Sequence, residues 1–247
     1  MASDGKVRIG FIAPRFTTLL EPHLLSIMPD EVSLEIECIG VADDNPLVTD
    51  LYDLSETKGT YVERTAQAVK DRGWEGVNIS GAPVELLNPG LLDELRQAIP
   101  VPVITAIRAC RAALQALEVS RVLLITPFDD NFDGGISGLL KEGGIEATYP
   151  TSKPFTHFGV GWQMNKGEAR VFIKNCFDQA GKVDAVYFQG PLSEHVAMLQ
   201  QVEDEYGVPA ISSLATWSWY LLSTLGKSYS LKGAGTLFAE WPKLKEA

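Results

Sequence analysis

The feature that most constrains this chain is a regular alternation. Apolar runs of strand length give way to segments with helical periodicity, and the pattern continues from the first strand to near residue 225. Strands are expected at 6–13, 32–41, 76–80 and 101–105. The intervening helices carry Leu19, Leu20, Leu24 and Leu25, then cover 61–71, then 86–98. After a helix at 106–117 the pattern restarts. Strands are expected at 121–126, 145–149, 183–188 and 208–212, and helices at 134–141, 168–180, 193–206 and 216–225. Nearly continuous apolar strands separated by helices indicate parallel sheets covered on both faces, an α/β architecture.

The two halves can be laid over one another. Ile12-Ala13-Pro14 matches Ile125-Thr126-Pro127, Ile79-Ser80-Gly81 matches Phe188-Gln189-Gly190, and 101–105 matches 208–212. The same order of strand ends predicts a duplicated fold: two pseudo-symmetric Rossmann-like or flavodoxin-like domains with parallel sheets. One covers 1–117 and is completed by a C-terminal helix at 214–247; the other covers 118–213. Ligands of parallel sheets bind beyond the carboxyl ends of the strands. A site in a cleft between the halves is therefore expected, built from 14–18, 81–83, Arg108, Phe128-Asp129 and Gly190-Pro191.

Composition narrows the class. The chain has 247 residues and a formal net charge of -11. That charge argues against nucleic acid, whose affinity rests on phosphate neutralisation, and against an anionic membrane surface. The amino-terminal residues show no signal-peptide pattern, and no apolar run has the length of a membrane span, so a cytoplasmic protein is expected. Cys38, Cys110 and Cys176 form no C-x-x-C pair and read as reduced, buried thiols, with Cys38 in mid-strand and the other two in helices. Neither G-x-G-x-x-G nor G-x-x-x-x-G-K-[ST] occurs, so no nucleotide cofactor is expected. Oligomeric state is left open, a homo-oligomer included.

Several segments resemble the aspartate/glutamate racemase superfamily, in its arylmalonate decarboxylase and maleate cis-trans isomerase branch. P-R-F-T-T-L-L-E-P at 14–22 is similar to the P-S-S-N-T-x-x-E-P opening of the isomerases. A-L-E-V-S-R-V-L-L-I-T-P-F at 116–128 resembles the entry into the second half, and Y-G-V-P-A-I-S-S with Trp219 resembles the last strand and helix. The resemblance implies cofactor-independent chemistry at the α-carbon of a small carboxylate. One cysteine from each half faces that carbon, and neighbouring N–H and hydroxyl groups hold the developing enediolate. The decarboxylase branch keeps only the second cysteine and has glycine at the first position.

This chain departs from that pattern at both points. The first position falls on Gly81. The second falls on Gly190, seventeen residues before Gly207. The hydroxyl-bearing pair after the first cysteine is Ala82-Pro83 here, and the tyrosine after T-P is Phe128. Racemisation or thiol addition at these positions lacks its nucleophile. The expected reaction is a decarboxylation or C–C cleavage on a carboxylate-bearing, aryl-substituted small acid. A dicarboxylate isomerase using other residues and a non-catalytic carboxylate-binding protein are the alternatives.

Arg15 can hold a carboxylate bidentately, with Thr17, Thr18, Gly81, Ala82, Arg108, Phe128, Gly190, Pro191 and Leu192 as further binding residues. His23 and His157 are the candidate proton-moving groups, ahead of His195. Thr17 and Thr18 equally suit a helix cap, and Arg108 a helix face. Asp129, Asp130 and Asp133 read as loop and capping acids before a metal set. Phe16, Phe128, Phe155, Phe158, Trp162, Trp217 and Trp219 would make the site apolar, and 151–165 could close over it as a lid.

Overall fold

The computed structural model describes residues 5–13, 21–39, 52–150, 153, 165–190 and 196–245. Arg15, Phe16, Thr17, Thr18, Phe155, His157, Phe158, Trp162, Pro191, Leu192 and His195 lie outside them, as does nearly all of the expected lid. The chain divides into two compact units, Met1–Ala106 with Leu221–Lys227, and Ile107–Tyr220 with Ser228–Ala247.

The first unit is built on a parallel sheet with strand order β2-β1-β3-β4: β1 Val7–Ala13, β2 Val32–Cys38, β3 Gly76–Ile79 and β4 Val103–Thr105. Helices α1 (Glu21–Ser26), α2 (Lys58–Arg72), α3 (Ala82–Leu87) and α4 (Leu91–Ala98) fall between the strands. Ile12, Val77, Ile79 and Val103 share one core with Val69 of α2, Val84 of α3 and Leu91 and Leu95 of α4. Gly10 is required in β1 because the Trp74 indole lies against it, 2.1 Å from where a Cβ would stand. The expected single helix at 86–98 is two helices. Pro89 has no N–H to continue the first, and Gly90, at φ 82°, turns the chain into the second.

The second unit repeats the design with order β6-β5-β7-β8: β5 Arg121–Ile125, β6 Glu146–Thr148, β7 Ala185–Phe188 and β8 Ala210–Ser212. Its helices include α6 (Asp130–Lys141), α7 (Lys166–Ala180) and α8 (Val196–Tyr206). Leu123, Ile125, Val186 and Phe188 pack with Phe172, Ile173 and Cys176 of α7 and Leu199 and Val202 of α8. Helix α6 begins four residues earlier than expected because Asp129 caps it, accepting from the N–H groups of Asn131 and Phe132. Asn165 and Glu168 form a reciprocal capping box that starts α7.

Helix α5 (Ala106–Ala116) follows β4 directly. The carboxyl-terminal segment is not one helix: α9 (Thr216–Thr224) and α10 (Thr236–Glu240) are separate.

The register makes the duplication explicit. Ile12 pairs with Ile79 and Ile79 with Thr105 in one sheet; Ile125 pairs with Phe188 and Phe188 with Ser212 in the other. These are the residues that the sequence superposition matches. Two parallel α/β sheets of the same strand order are the fold that the alternation predicted.

Candidate functional site

In the first unit the ends of β1, β3 and β4 lie side by side. The Ser80 N–H donates to the Ile12 carbonyl at 2.9 Å, which prolongs the ladder by one residue. The chain then leaves the sheet at Gly81, with φ 93° and ψ 125°, and enters α3 at Ala82. At the end of β4 the buried Thr105 hydroxyl donates to Glu85 of α3 at 2.6 Å. Tyr52 reaches the same turn from a distant segment. A Cβ on Gly81 would stand 2.6 Å from the edge of its ring and 2.9 Å from its hydroxyl oxygen. Asn88, at the end of α3, fixes that segment. Its amide donates to the carbonyls of Tyr52 and Val84, each at 2.7 Å, and accepts the Leu54 N–H at 2.8 Å. Burial pushes the Tyr52 phenol up to about 12.

The second unit ends its strands in the same way. The Gln189 N–H donates to the Ile125 carbonyl at 2.9 Å, and Gly190 follows at φ 84°. The Gly190 N–H donates to Ser213 Oγ at 2.9 Å, and a Cβ on this glycine would meet the Pro127 ring at 3.3 Å. Beyond β5 the turn 126–129 is held by a buried polar network. Thr126 donates its hydroxyl to Asp133, and the Phe128 N–H bonds back to Thr126 Oγ1 at 3.0 Å. Lys153 Nζ donates to Asp133 Oδ2, to the Phe128 carbonyl and, at 3.3 Å, to Thr126 Oγ1. The Asp133 side chain is 0% exposed and that of Lys153 7%. Burial raises the Asp133 carboxyl above its ordinary range, against the opposing pull of hydrogen bonds from Lys153 and Thr126.

Of the residues expected in a site, Gly81 and Ala82 stand at the end of β3, Phe128 after β5 and Gly190 after β7. The Phe128 side chain is buried and sits near Phe132, ring centroids 5.4 Å apart. Arg108 lies on α5, where its guanidinium pairs with Glu142 at 3.2 Å. His23 is partly buried on α1. Trp217 and Trp219 are wholly buried in the core, with their indole N–H groups bonded to the carbonyls of Leu214 and Pro242.

The cysteine reading needs correcting in one respect. Cys38 is the last residue of β2, at the carboxyl end of the sheet, and it is exposed. The edge position of β2 leaves it uncovered. Cys110 and Cys176 are buried in α5 and α7, and burial pushes both thiols up to about 12, so neither is a thiolate near neutral pH. Among the described residues no group of three His, Cys, Asp or Glu is arranged to hold a metal. Asp129 is a cap, but Asp133 is a buried ion-pair partner, which its loop-like sequence context conceals. Tyr52, Asn88 and Lys153 carry no motif. Their roles arise from contacts across 20 to 36 residues.

Comparison with known proteins places the chain in a lineage. The family model for arylmalonate decarboxylase matches residues 9–238. The chain belongs to the arylmalonate decarboxylase family. Within that family's fold, arylmalonate decarboxylase itself superposes with a TM-score of 0.74 at 21% identity, over 94% of this chain and 99% of that one. The maleate isomerase of Pseudomonas putida S16, in a variant crystallised with maleate, gives 0.76 at 16% identity, over 94% and 97%. The maleate cis-trans isomerase of Nocardia farcinica, carrying a covalent succinylcysteine intermediate, gives 0.73 at 20% identity, over 96% and 99%. These relatives are enzymes, a lyase and isomerases.

A shorter similarity joins the family chain to homoserine O-acetyltransferase of Thermotoga neapolitana, 44% identical over 78 residues. It covers 28% of this chain and about a quarter (26%) of that curated relative's length. No helix among the described residues is long and apolar enough to cross a membrane.

Proposed function

We propose that this chain is a cofactor-independent lyase that removes a carboxylate, or cleaves an equivalent C–C bond, from a small and preferably aryl-substituted carboxylic acid without cysteine chemistry. One observation carries the reading. At the two strand ends where family resemblance puts thiols, the chain has Gly81 and Gly190, both at positive φ, each just after the residue that extends β3 or β7. Glycine at the first position belongs to the decarboxylase branch. Loss of the second thiol removes the matched pair of acids and bases that racemisation requires. Decarboxylation needs only stabilisation of the enediolate and one proton delivery.

In this reading Arg15, Thr17 and Thr18 hold the retained carboxylate, helped by the backbone N–H groups of Ala82 and Leu192, with Gly81, Gly190 and Pro191 as neighbouring contacts. Phe128, in place of a tyrosine, makes the surroundings apolar and favours expulsion of neutral CO2. Arg108, held by Glu142 at 3.2 Å, serves as a contact for the substrate carboxylate in this reading. His23 and His157 are the proton-moving candidates among the histidines.

The test is turnover. Substituted arylmalonates, maleate and β-hydroxy acids are incubated in deuterated buffer, with CO2 or aldehyde release followed and deuterium located by NMR. The expected result is CO2 release with one deuterium at the α-carbon, unchanged after iodoacetamide treatment. Inactivation by alkylation would return the chemistry to a cysteine. Tight carboxylate binding without turnover would make this a binding protein.

A further inference from the structure

Among the described residues, the three atoms nearest to a Cβ on Gly81 all belong to Tyr52. A Cβ built on this glycine would stand 2.6 Å from Tyr52 Cε1 and 2.9 Å from both Cζ and the hydroxyl oxygen. No side chain at position 81 can enter that volume while Tyr52 stays where it is. The phenol therefore lies where a side chain from position 81 would project, at the carboxyl end of β3. This is the end at which parallel sheets present their chemistry.

The placement is built. Tyr52 is 7% exposed and belongs to the core formed with Ile79, Val84 and Tyr61. Asn88, 4% exposed, joins the Tyr52 and Leu54 backbone to the helix that starts at Gly81, using both its donor and its acceptor side. These bonds tie the backbone that carries Tyr52 to the helix that follows Gly81.

We propose that Tyr52 is the proton donor of the first half, delivering from another segment the acid that relatives present as a thiol at the position of Gly81. The proposal rests on the decarboxylase-like reading and names the acid in it. When the C–C bond to the departing carboxylate breaks, its electron pair stays on the substrate as an enediolate and CO2 leaves. The Tyr52 O–H bond then breaks, its proton forms the new C–H bond at the α-carbon, and the phenolate recovers a proton from water. One solvent proton is consumed for each CO2 released. Burial suits this direction of transfer: with its pKa pushed up to about 12, Tyr52 is a phenol at neutral pH and acts as an acid, not a base. Asn88 is a positioning residue.

The test compares wild type with Tyr52→Phe, which keeps the ring and removes only the hydroxyl. Both are assayed on the arylmalonates that wild type turns over, with melting followed in parallel. Expected is a fall in kcat of about 100-fold or more with KM changed by less than about twofold, the pattern of a group acting only in the transition state. The melting temperature stays close to that of wild type. If Phe lowers it, rates are taken below the unfolding range and the criterion is the same. Undiminished kcat in Tyr52→Phe overturns the assignment and leaves the decarboxylase-like reading standing. Absence of turnover in wild type across the whole panel overturns that reading, and this assignment with it.

Discussion

The Lys153 ammonium is bonded to the Asp133 carboxylate, a side chain with no exposed surface, at the carboxyl end of β5. Its other two protons go to Thr126 Oγ1 and the Phe128 carbonyl, so all three ammonium donors are used in fixing the turn 126–129. A buried ion pair adds little to stability when compared with a well-packed apolar pair, but removal of one partner strands the other. Lys153→Met is therefore expected to destabilise the fold by about 3–5 kcal/mol at neutral pH. Urea unfolding of wild type and variant measures it. A loss below about 1 kcal/mol would place the pair among exposed bridges of small worth.

The same pair has a defined pH signature. The Asp133 carboxyl is raised above its ordinary value of 3.8, chiefly by burial, and Lys153 pulls it down. Without Lys153 it rises further. A carboxyl raised in the folded state binds its proton more tightly there than in the unfolded chain. Its ionisation therefore lowers stability as pH rises through the folded pKa, and protonation restores that stability on acidification. The stability gap between wild type and Lys153→Met is expected to be widest at neutral pH and to narrow as pH falls toward 3.8. Unfolding curves for both proteins at several pH values test this. A gap constant with pH would mean that Asp133 is not the group left uncompensated.

The thiols are expected to divide one against two. Cys38 is exposed at the end of β2, whereas Cys110 and Cys176 are buried and held protonated. Titration with Ellman's reagent should release one equivalent of chromophore rapidly from native protein and three after denaturation, the chain containing three cysteines. Rapid reaction of two or three native thiols would contradict the burial of α5 and α7.

What the sequence makes legible follows from how locally each feature is encoded. Strand ends such as Ile12, Ile79, Ile125 and Phe188 show because a buried parallel strand is an apolar run closed by a turn residue. The register confirms the same pairs. The break between α3 and α4 was written in Asn88-Pro89-Gly90, a proline and a glycine in succession, and an unbroken helix there gave the 3.6-residue period too much weight. Cys38, expected in mid-strand, ends β2, because half-buried edge strands alternate without saying where they end. Tyr52 and Lys153 are of another kind. A tyrosine in a polar segment and a lysine in an aromatic one have no local signature, and only the folded chain brings them to Gly81 and Asp133. Arg15, Thr17, Thr18, His157, Pro191 and Leu192 lie outside the described residues.

The two glycine turns differ in one testable way. Alanine at either position meets the cost of positive φ, about 1–3 kcal/mol. At Gly190 the added methyl would stand 3.3 Å from the Pro127 ring, a tight contact that a small shift relieves. At Gly81 it would stand 2.6 Å from the Tyr52 ring, whose backbone Asn88 holds in place. Overpacking of that kind adds about 1–3 kcal/mol, so Gly81→Ala should be the more destabilising of the two by that margin. A double-mutant cycle isolates the cause. In a Tyr52→Ala background the crowding disappears and only the backbone cost remains, so Gly81→Ala should cost about 1–3 kcal/mol less there than in wild type. Additive effects in the cycle would mean that Tyr52 does not fill the space beside Gly81, and the acid proposed for the first half would lose its geometric basis.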